Sequence, residues 1–230
     1  MGKLKAGEVK LSPEKWALIN EKADQGYAGI GFNIGMDILF PISSVDGLGI
    51  TLGADFFYNG YNSELKDWVS DMEDEADEEF DSYSFKKPRI MNVPIMLGAR
   101  YLYEVNDGFG LFAEAGLGVN LRFISKLSYE YEFEHEYYNP NYGYESYDIE
   151  ESTTAKYKTA ITFAYKFGVG IMLAEHFSIG IDYYGMGSSK VNADITRERI
   201  EDGFSETDKD KFKSKALSCS ELAVRIGYHF

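Results

Sequence analysis

The stretch FGLFAEAGLGVNLRF, residues 109–123, alternates between two kinds of side chain. Every odd-numbered position from Leu111 to Leu121 is aliphatic, whereas the even-numbered positions between them and just beyond carry one phenylalanine, glycines, an asparagine, Glu114 and Arg122. Because successive side chains of a β-strand point to opposite faces, this period of two predicts a strand with one apolar face and one small or polar face.

The same alternation recurs in six other segments. These are residues 27–42, 48–58, 91–103, 157–173, 177–187 and 216–230. Short connections at 42–47, 104–107 and 174–176 alternate with long ones at 59–89, 126–155 and 187–215. Short turns at one end and long loops at the other are the layout of outer-membrane barrels. The sequence therefore predicts an all-β, antiparallel up-and-down β-barrel.

Composition agrees with this fold class and excludes several classes of partner and site. The chain has 230 residues, of which 16% are aromatic, 23 are glycine and only 5 are proline, which favours strands. A net charge of −15 argues against a nucleic-acid partner. The single cysteine, Cys219, excludes an intrachain disulfide and a cysteine-cluster metal site. The sequence contains no run of about 18 apolar residues and therefore predicts no transmembrane helix, so any membrane crossing would use strands.

The alternation alone does not say which face is inside. A soluble lipocalin-like barrel, with its apolar face inward, is one interpretation. Against it, the bulky face carries five to seven large residues per strand, too much volume for the inside of a small barrel. The opposite face is rich in glycine with isolated charges, which suits a narrow lumen. We therefore expect the apolar face to contact lipid.

The opposite face places ionisable residues of both signs in the lumen. The expected charge network comprises Asp37, Asp55, Arg100, Glu114, Arg122, Lys158, Lys166, Asp182, Glu221 and Arg225. Buried charges must pair or stay hydrated. Two interpretations remain open from the residues: a salt-bridge network that plugs the barrel, and a gated polar path for a small solute.

The segment LAVRIGYHF, residues 222–230, repeats the alternation up to a phenylalanine. If this strand ends in the periplasm, the three long loops lie outside the cell and the strand near residue 27 begins there too. One more crossing is then expected within residues 1–26, which gives an even number of strands. We accordingly divide the chain into an N-terminal segment, 1–26, with a poorly defined first strand, and a barrel over 27–230.

Five segments together resemble the small eight-stranded, porin-like outer-membrane β-barrels of Bacteroidetes, related in architecture to the OmpA and OmpX barrels. They are NVPIMLGARYLY (92–103), GLFAEAGLGVNLRF (110–123), FGVGIML (167–173), FSIGIDYYGMG (177–187) and LAVRIGYHF (222–230). The resemblance implies a monomer in the outer membrane of a Gram-negative bacterium, inserted by the barrel-assembly machinery. The assembly signal would be Leu222, Val224, Ile226, Tyr228 and Phe230. The motifs are architectural and specify no cofactor.

The long loops are the expected site of function. Residues 71–81 read DMEDEADEEFD, which lacks the spacing of a calcium-binding EF-hand, so no metal site is predicted. Alternation continues past residue 123, which predicts that 124–133 pair with 150–157 above the membrane and leave 136–149 as a mobile tip. The leading hypothesis is a structural or adhesive barrel that binds an extracellular ligand or host surface. A narrow channel is the alternative.

Catalysis is not expected. The three histidines and the serines at 178 and 218 form no evident nucleophile–base–acid set, which a lipid-modifying barrel enzyme would need. Two aromatic girdles are expected at the membrane interfaces. One comprises Phe40, Tyr101, Tyr103, Phe109, Phe177, Tyr228 and Phe230 at the short-turn end, and the other comprises Tyr58, Phe123 and Tyr157 at the long-loop end.

Overall fold

A computed structural model describes residues 28–61, 81–86, 88–139, 141–174, 176–201 and 203–228. These residues form ten β-strands. Their bounds are β1 Ala28–Pro41, β2 Leu48–Tyr61, β3 Ser82–Lys86, β4 Ile90–Asn106, β5 Phe109–Ile124, β6 Leu127–Asn139, β7 Gly143–Tyr157, β8 Ala160–Leu173, β9 Phe177–Glu201 and β10 Phe204–Tyr228. None of the described residues belongs to a helix of the length and apolarity that a membrane crossing requires.

All strand pairs are antiparallel, and they form two connected tiers. The basal sheet runs in the order β1, β2, β4, β5, β8, the 177–185 part of β9 and the 220–228 part of β10. The projecting sheet contains β3, β6, β7, the 193–201 part of β9 and the 204–213 part of β10. The predicted up-and-down antiparallel class is confirmed. Within the described ranges no backbone pairing joins β1 to β10, and the first strand expected within 1–26 lies outside those ranges.

The long β9–β10 hairpin corrects the prediction of a loop at 187–215. Phe204 pairs with Glu201, and the ladder continues to Tyr228 and Phe177. Gly187 has a φ of +62°, and the register shifts between Ser218 and Ser220. Such bulges reverse the parity of a strand, so the buried face of β9 switches from even-numbered to odd-numbered positions. The alternation therefore continues in the opposite phase, with charged residues facing outward.

The β6–β7 hairpin confirms the predicted pairing and extends it. Leu127 lies opposite Ala155 and Phe133 opposite Ile149, which confirms the prediction for residues 127–133. Ile124 differs from the prediction, because it belongs to β5 and pairs with Ile90. The ladder continues to the pair Asn139 and Gly143, so the expectation that 136–149 is a tip was wrong in extent. The short strand β3, which pairs with β6, was not predicted within the 59–89 loop. Residues 62–80, which hold nearly all of the acidic stretch, lie outside the described ranges.

The outer face of the basal sheet is a continuous apolar band. Leu97 is 61% exposed and its neighbour Leu117 is 59% exposed, and every strand of the sheet contributes similar residues. Examples from the other strands are Phe32, Ile34, Met36, Ile50, Leu52, Ile161, Phe163, Val169, Ile179, Ile181, Leu222, Val224 and Ile226. By contrast, Asp182 and Arg122 are fully buried on the opposite face. The bulky face is therefore outside, which is the reverse of a lipocalin interior.

Aromatic residues mark both ends of this band. At the short-turn end Phe177 packs edge-on against Tyr228, with ring centroids 5.2 Å apart. At the long-loop end Tyr58, Met91 and Phe123 occupy one row across three strands. Tyr157 departs from the expected girdle. It packs against Val191 and Ala193 on the inner side, because the inward face of β7 carries odd-numbered residues. Phe230 lies outside the described residues.

Candidate functional site

A network of ion pairs fills the interior near the short-turn end. Glu114 of β5 is its centre, with Arg100 of β4 at 2.7 Å, Lys166 of β8 at 2.8 Å and Arg225 of β10 at 2.7 Å. Asp37 of β1 contacts the same three cations at 3.5, 3.7 and 3.1 Å. Side chains from the two outermost strands of the basal sheet therefore meet in its interior.

Phe112 and Asp182 complete this layer. The guanidinium carbons of Arg100 and Arg225 lie 5.3 and 5.7 Å from the centre of the Phe112 ring, within cation–π range. Arg225 Nε lies 3.1 Å from Asp182 Oδ2, as an ion pair that lacks the alignment of a hydrogen bond. The ring fits because Gly170 has no side chain, since a Cβ there would lie 2.5 Å from Phe112 Cζ.

A mixed layer lies next to the charges, toward the long-loop end. The Tyr184 hydroxyl donates a 3.0 Å hydrogen bond to Asp55, and the Lys166 ammonium lies 5.6 Å from the Tyr184 ring centre. Phe57 packs edge-on against Tyr184 with centroids 4.8 Å apart, and Met186 joins them in one buried cluster. These large side chains obstruct the interior.

A third layer consists of hydrogen-bonded polar groups. Asn120 donates to Asn92 Oδ1 at 2.9 Å, and Arg122 Nε donates to the same oxygen at 3.2 Å. The Thr162 hydroxyl donates to the Met186 carbonyl at 2.6 Å, and Arg122 also donates to that carbonyl. The layer is buried and cross-links β4, β5, β8 and β9.

The structure brings together six of the ten residues predicted for the lumen network. They are Asp37, Arg100, Glu114, Lys166, Asp182 and Arg225. Asp55 lies in the adjacent layer, Arg122 lies in the third layer, and Glu221 accepts a hydrogen bond from Asn59. Lys158 lies elsewhere: it is exposed and pairs with Asp194 at 3.3 Å, because β7 ends and β8 begins on either side of it.

Sequence reasoning missed the neutral members of the interior. Asn59, Asn92, Asn120 and Thr162 are buried at inward positions, and the phase of the alternation would have identified them. The predicted network contained ionisable residues only. Amides donate and accept at once, so they connect the buried guanidinium to its neighbours without adding charge.

The inner face of the projecting sheet carries stacked aromatic rings. Tyr129 and Tyr131 are parallel with centroids 6.1 Å apart, and Phe133 follows at the same spacing. The Tyr131 hydroxyl donates to Glu151, which pairs with Arg199 at 3.1 Å. Burial raises the pKa of Tyr129 to about 12, and burial together with the Glu151 hydrogen bond raises the pKa of Tyr131. These phenols are neutral hydrogen-bonding groups at physiological pH.

Comparison with known proteins does not assign this arrangement. No protein-family model matches the chain, and no curated protein matches it. Among the described residues, no group of three or more histidine, cysteine, aspartate or glutamate side chains is placed to hold a metal ion.

Proposed function

We propose that this chain is an eight-stranded outer-membrane β-barrel whose role is structural or adhesive and is carried by the projecting sheet. The observation that supports this most is the inverted distribution of side chains. Large aliphatic and aromatic residues are exposed on every strand of the basal sheet, whereas carboxylates and guanidinium groups are buried within it. In water such a band would be a strong aggregation liability, whereas in hydrocarbon it is the stable arrangement.

Contacts across the interior favour a barrel over an open sheet. Arg225 of β10 reaches Asp37 of β1, and Asn59 of β2 reaches Glu221 of β10. Strands at the two edges of the sheet must curve toward each other for these contacts to form. Seven strands lie in the basal sheet, and we expect the remaining strand to come from 1–26, as in OmpX-like barrels of Gram-negative bacteria.

The interior favours a plugged barrel over a channel. Phe57, Tyr184, Met186 and Arg122 are all almost fully buried, and the charges pair with one another. The projecting sheet, in contrast, extends far beyond the band. Strand β6 has 13 residues, which is about 43 Å of additional strand. A crossing needs only about 9–11 residues, so this sheet is available for contact outside the membrane.

Two measurements on the purified protein test the location and the plug. A folded membrane barrel should migrate differently on a denaturing gel before and after boiling. In planar bilayers it should show no steady conductance. An unchanged gel position together with solubility in plain buffer would overturn the membrane assignment, and steady ion flow would favour the channel.

A truncation tests the adhesive role. Replacing residues 130–152 by an Asn-Gly turn removes most of the β6–β7 hairpin and leaves the basal sheet intact. We expect the variant to keep its heat-dependent gel shift and to lose attachment of expressing cells to a host-cell or extracellular-matrix surface. The matched control exchanges only residues 141–142 for glycine. Equal attachment by all three proteins would show that the projecting sheet is not the adhesive element.

A further inference from the structure

Exposed cations collect around the upper end of the apolar band, within a few residues of strand length. Six of them define what we call the basic belt: Arg89, Lys126, Lys156, Lys158, Lys190 and Lys213. They lie where the basal sheet meets the projecting sheet, and each comes from a different connection or strand. The Arg89 guanidinium lies 5.4 Å from the centre of the Tyr58 ring, so the belt begins where the aromatic end of the band stops.

The belt faces outward around the sheet. Lys156 alternates with Ala155 and Tyr157, which pack inward, and Lys190 precedes the buried Val191. Lys213 lies opposite Asn192, whose carbonyl accepts from the Lys158 backbone at 2.8 Å. Asp194 is the one carboxylate on this part of the outward face in the described ranges, and it pairs with Lys158. The belt therefore carries a large excess of positive charge in a chain of net charge −15.

The outward charges are sorted by height. Lys86, Lys209 and Lys211 lie at or just above the upper margin of the belt. Beyond them the charged residues at outward positions of β6, β7 and β9 are acidic: Glu130, Glu132, Glu134, Asp148, Glu150 and Glu198. At the short-turn end the exposed charges of the described residues are also acidic, at Asp46, Glu104 and Asp107. Cations are thus confined to one side of the band.

We propose that the basic belt binds phosphate groups of anionic lipid headgroups in the leaflet on the long-loop side. This inference rests on the proposed function, since it requires the apolar band to lie in hydrocarbon. The headgroups of that leaflet would then be at the height of the belt. Phosphate monoesters offer two charges and several acceptor oxygens, which match lysine and arginine donors. Continuity with the band distinguishes this ligand from a soluble polyanion, which the acidic positions above the belt would repel.

Lipid selectivity in reconstituted membranes tests the proposal. Spin-labelled phosphatidic acid, which carries a phosphate monoester, and spin-labelled phosphatidylcholine report how strongly each lipid associates with the protein. We expect phosphatidic acid to be favoured about fivefold for each cation it engages. The belt variant Arg89→Gln/Lys126→Gln/Lys190→Gln should lose most of this preference. High salt should weaken the preference of the unmodified protein.

A control of equal charge separates the belt from general electrostatics. The variant Arg197→Gln/Arg199→Gln/Ile200→Glu makes the same change in net charge higher on the projecting sheet, and it should keep the preference. The proposal would be overturned if both lipids associated equally with the unmodified protein, or if the two variants lost the preference for phosphatidic acid equally. Motion-restricted lipid in those samples would still identify a membrane protein. Absence of motion-restricted lipid of either kind would overturn the proposed function as well.

Discussion

Replacing Leu117 by arginine is the sharpest test of which face meets lipid. Leu117 is 59% exposed and lies one residue from the midpoint between Phe109 and Phe123, the aromatic residues at the two ends of β5. Its neighbours across the strands are Leu97 and Tyr165, which lie on the same outward face, so the guanidinium would find no carboxylate partner there. At the bilayer midplane of a barrel this substitution costs roughly 2–4 kcal/mol.

The assay is urea unfolding in lipid vesicles, followed by the gel shift between folded and boiled protein. A loss of about 3 kcal/mol corresponds to more than a hundredfold change in the folding equilibrium. The matched control is Ile200→Arg, because Ile200 is also outward and 39% exposed but lies on the projecting sheet. We expect that variant to change the free energy of unfolding by about 0.5 kcal/mol or less. Equal effects at the two positions would refute the assignment of the band to hydrocarbon.

Three further substitutions or titrations address the interior and the projecting sheet. Glu114→Gln leaves three buried cations without their central carboxylate and should lower the free energy of unfolding by about 3–5 kcal/mol in urea titrations. Gly118→Ala should lower the free energy of unfolding by about 1–3 kcal/mol in the same assay, because its Cβ would lie 1.9 Å from a backbone carbonyl oxygen of β4. Gly116→Ala is the control and should be tolerated, because a Cβ there would lie 3.4 Å from its nearest atom. Burial raises the pKa values of Tyr129 and Tyr157 to about 12, whereas unfolded tyrosines ionise near pH 10. The contribution of these two groups to stability should therefore be constant below about pH 10 and be lost as the pH rises from about 10 to 12. Ultraviolet absorbance of the phenolates should follow this loss, and the double Tyr→Phe variant should reduce it.

The strands of the basal sheet were predictable because their outward residues are uniformly apolar. In β5 the contrast between Leu117 and its neighbours Gly116 and Gly118 is visible in the sequence. The hairpin above Gly187 was not predictable by the same rule, because many of its outward positions are charged and its inward face mixes apolar residues such as Ile195 with charged ones such as Arg199. A parity change at a bulge also breaks any pattern read in one phase.

The sequence predicted which ionisable residues face inward in most cases, but not which of them contact one another. Parity alone places Glu114 and Arg122 on the same inward face, yet they lie in different layers of the interior. The three-cation arrangement around Glu114 depends on the registers of β5 with β4 and β8, which local sequence does not encode. Lys158 was wrongly predicted to lie in the interior, because the alternation was extended beyond the end of a strand; it is exposed and pairs with Asp194.

Strand β9 belongs to both sheets, and this has a mechanical consequence. Its lower part pairs with β8 and its upper part with β7, while β10 accompanies it along nearly its whole length. A pull on the hairpin at Phe204, directed away from the basal sheet, would run parallel to these strands. The ladder would then resist in shear, with many hydrogen bonds loaded together, and tension would pass to the basal sheet without a flexible joint. If the proposed adhesive role holds, the hairpin would form a stiff connection between the surface that it contacts and the basal sheet.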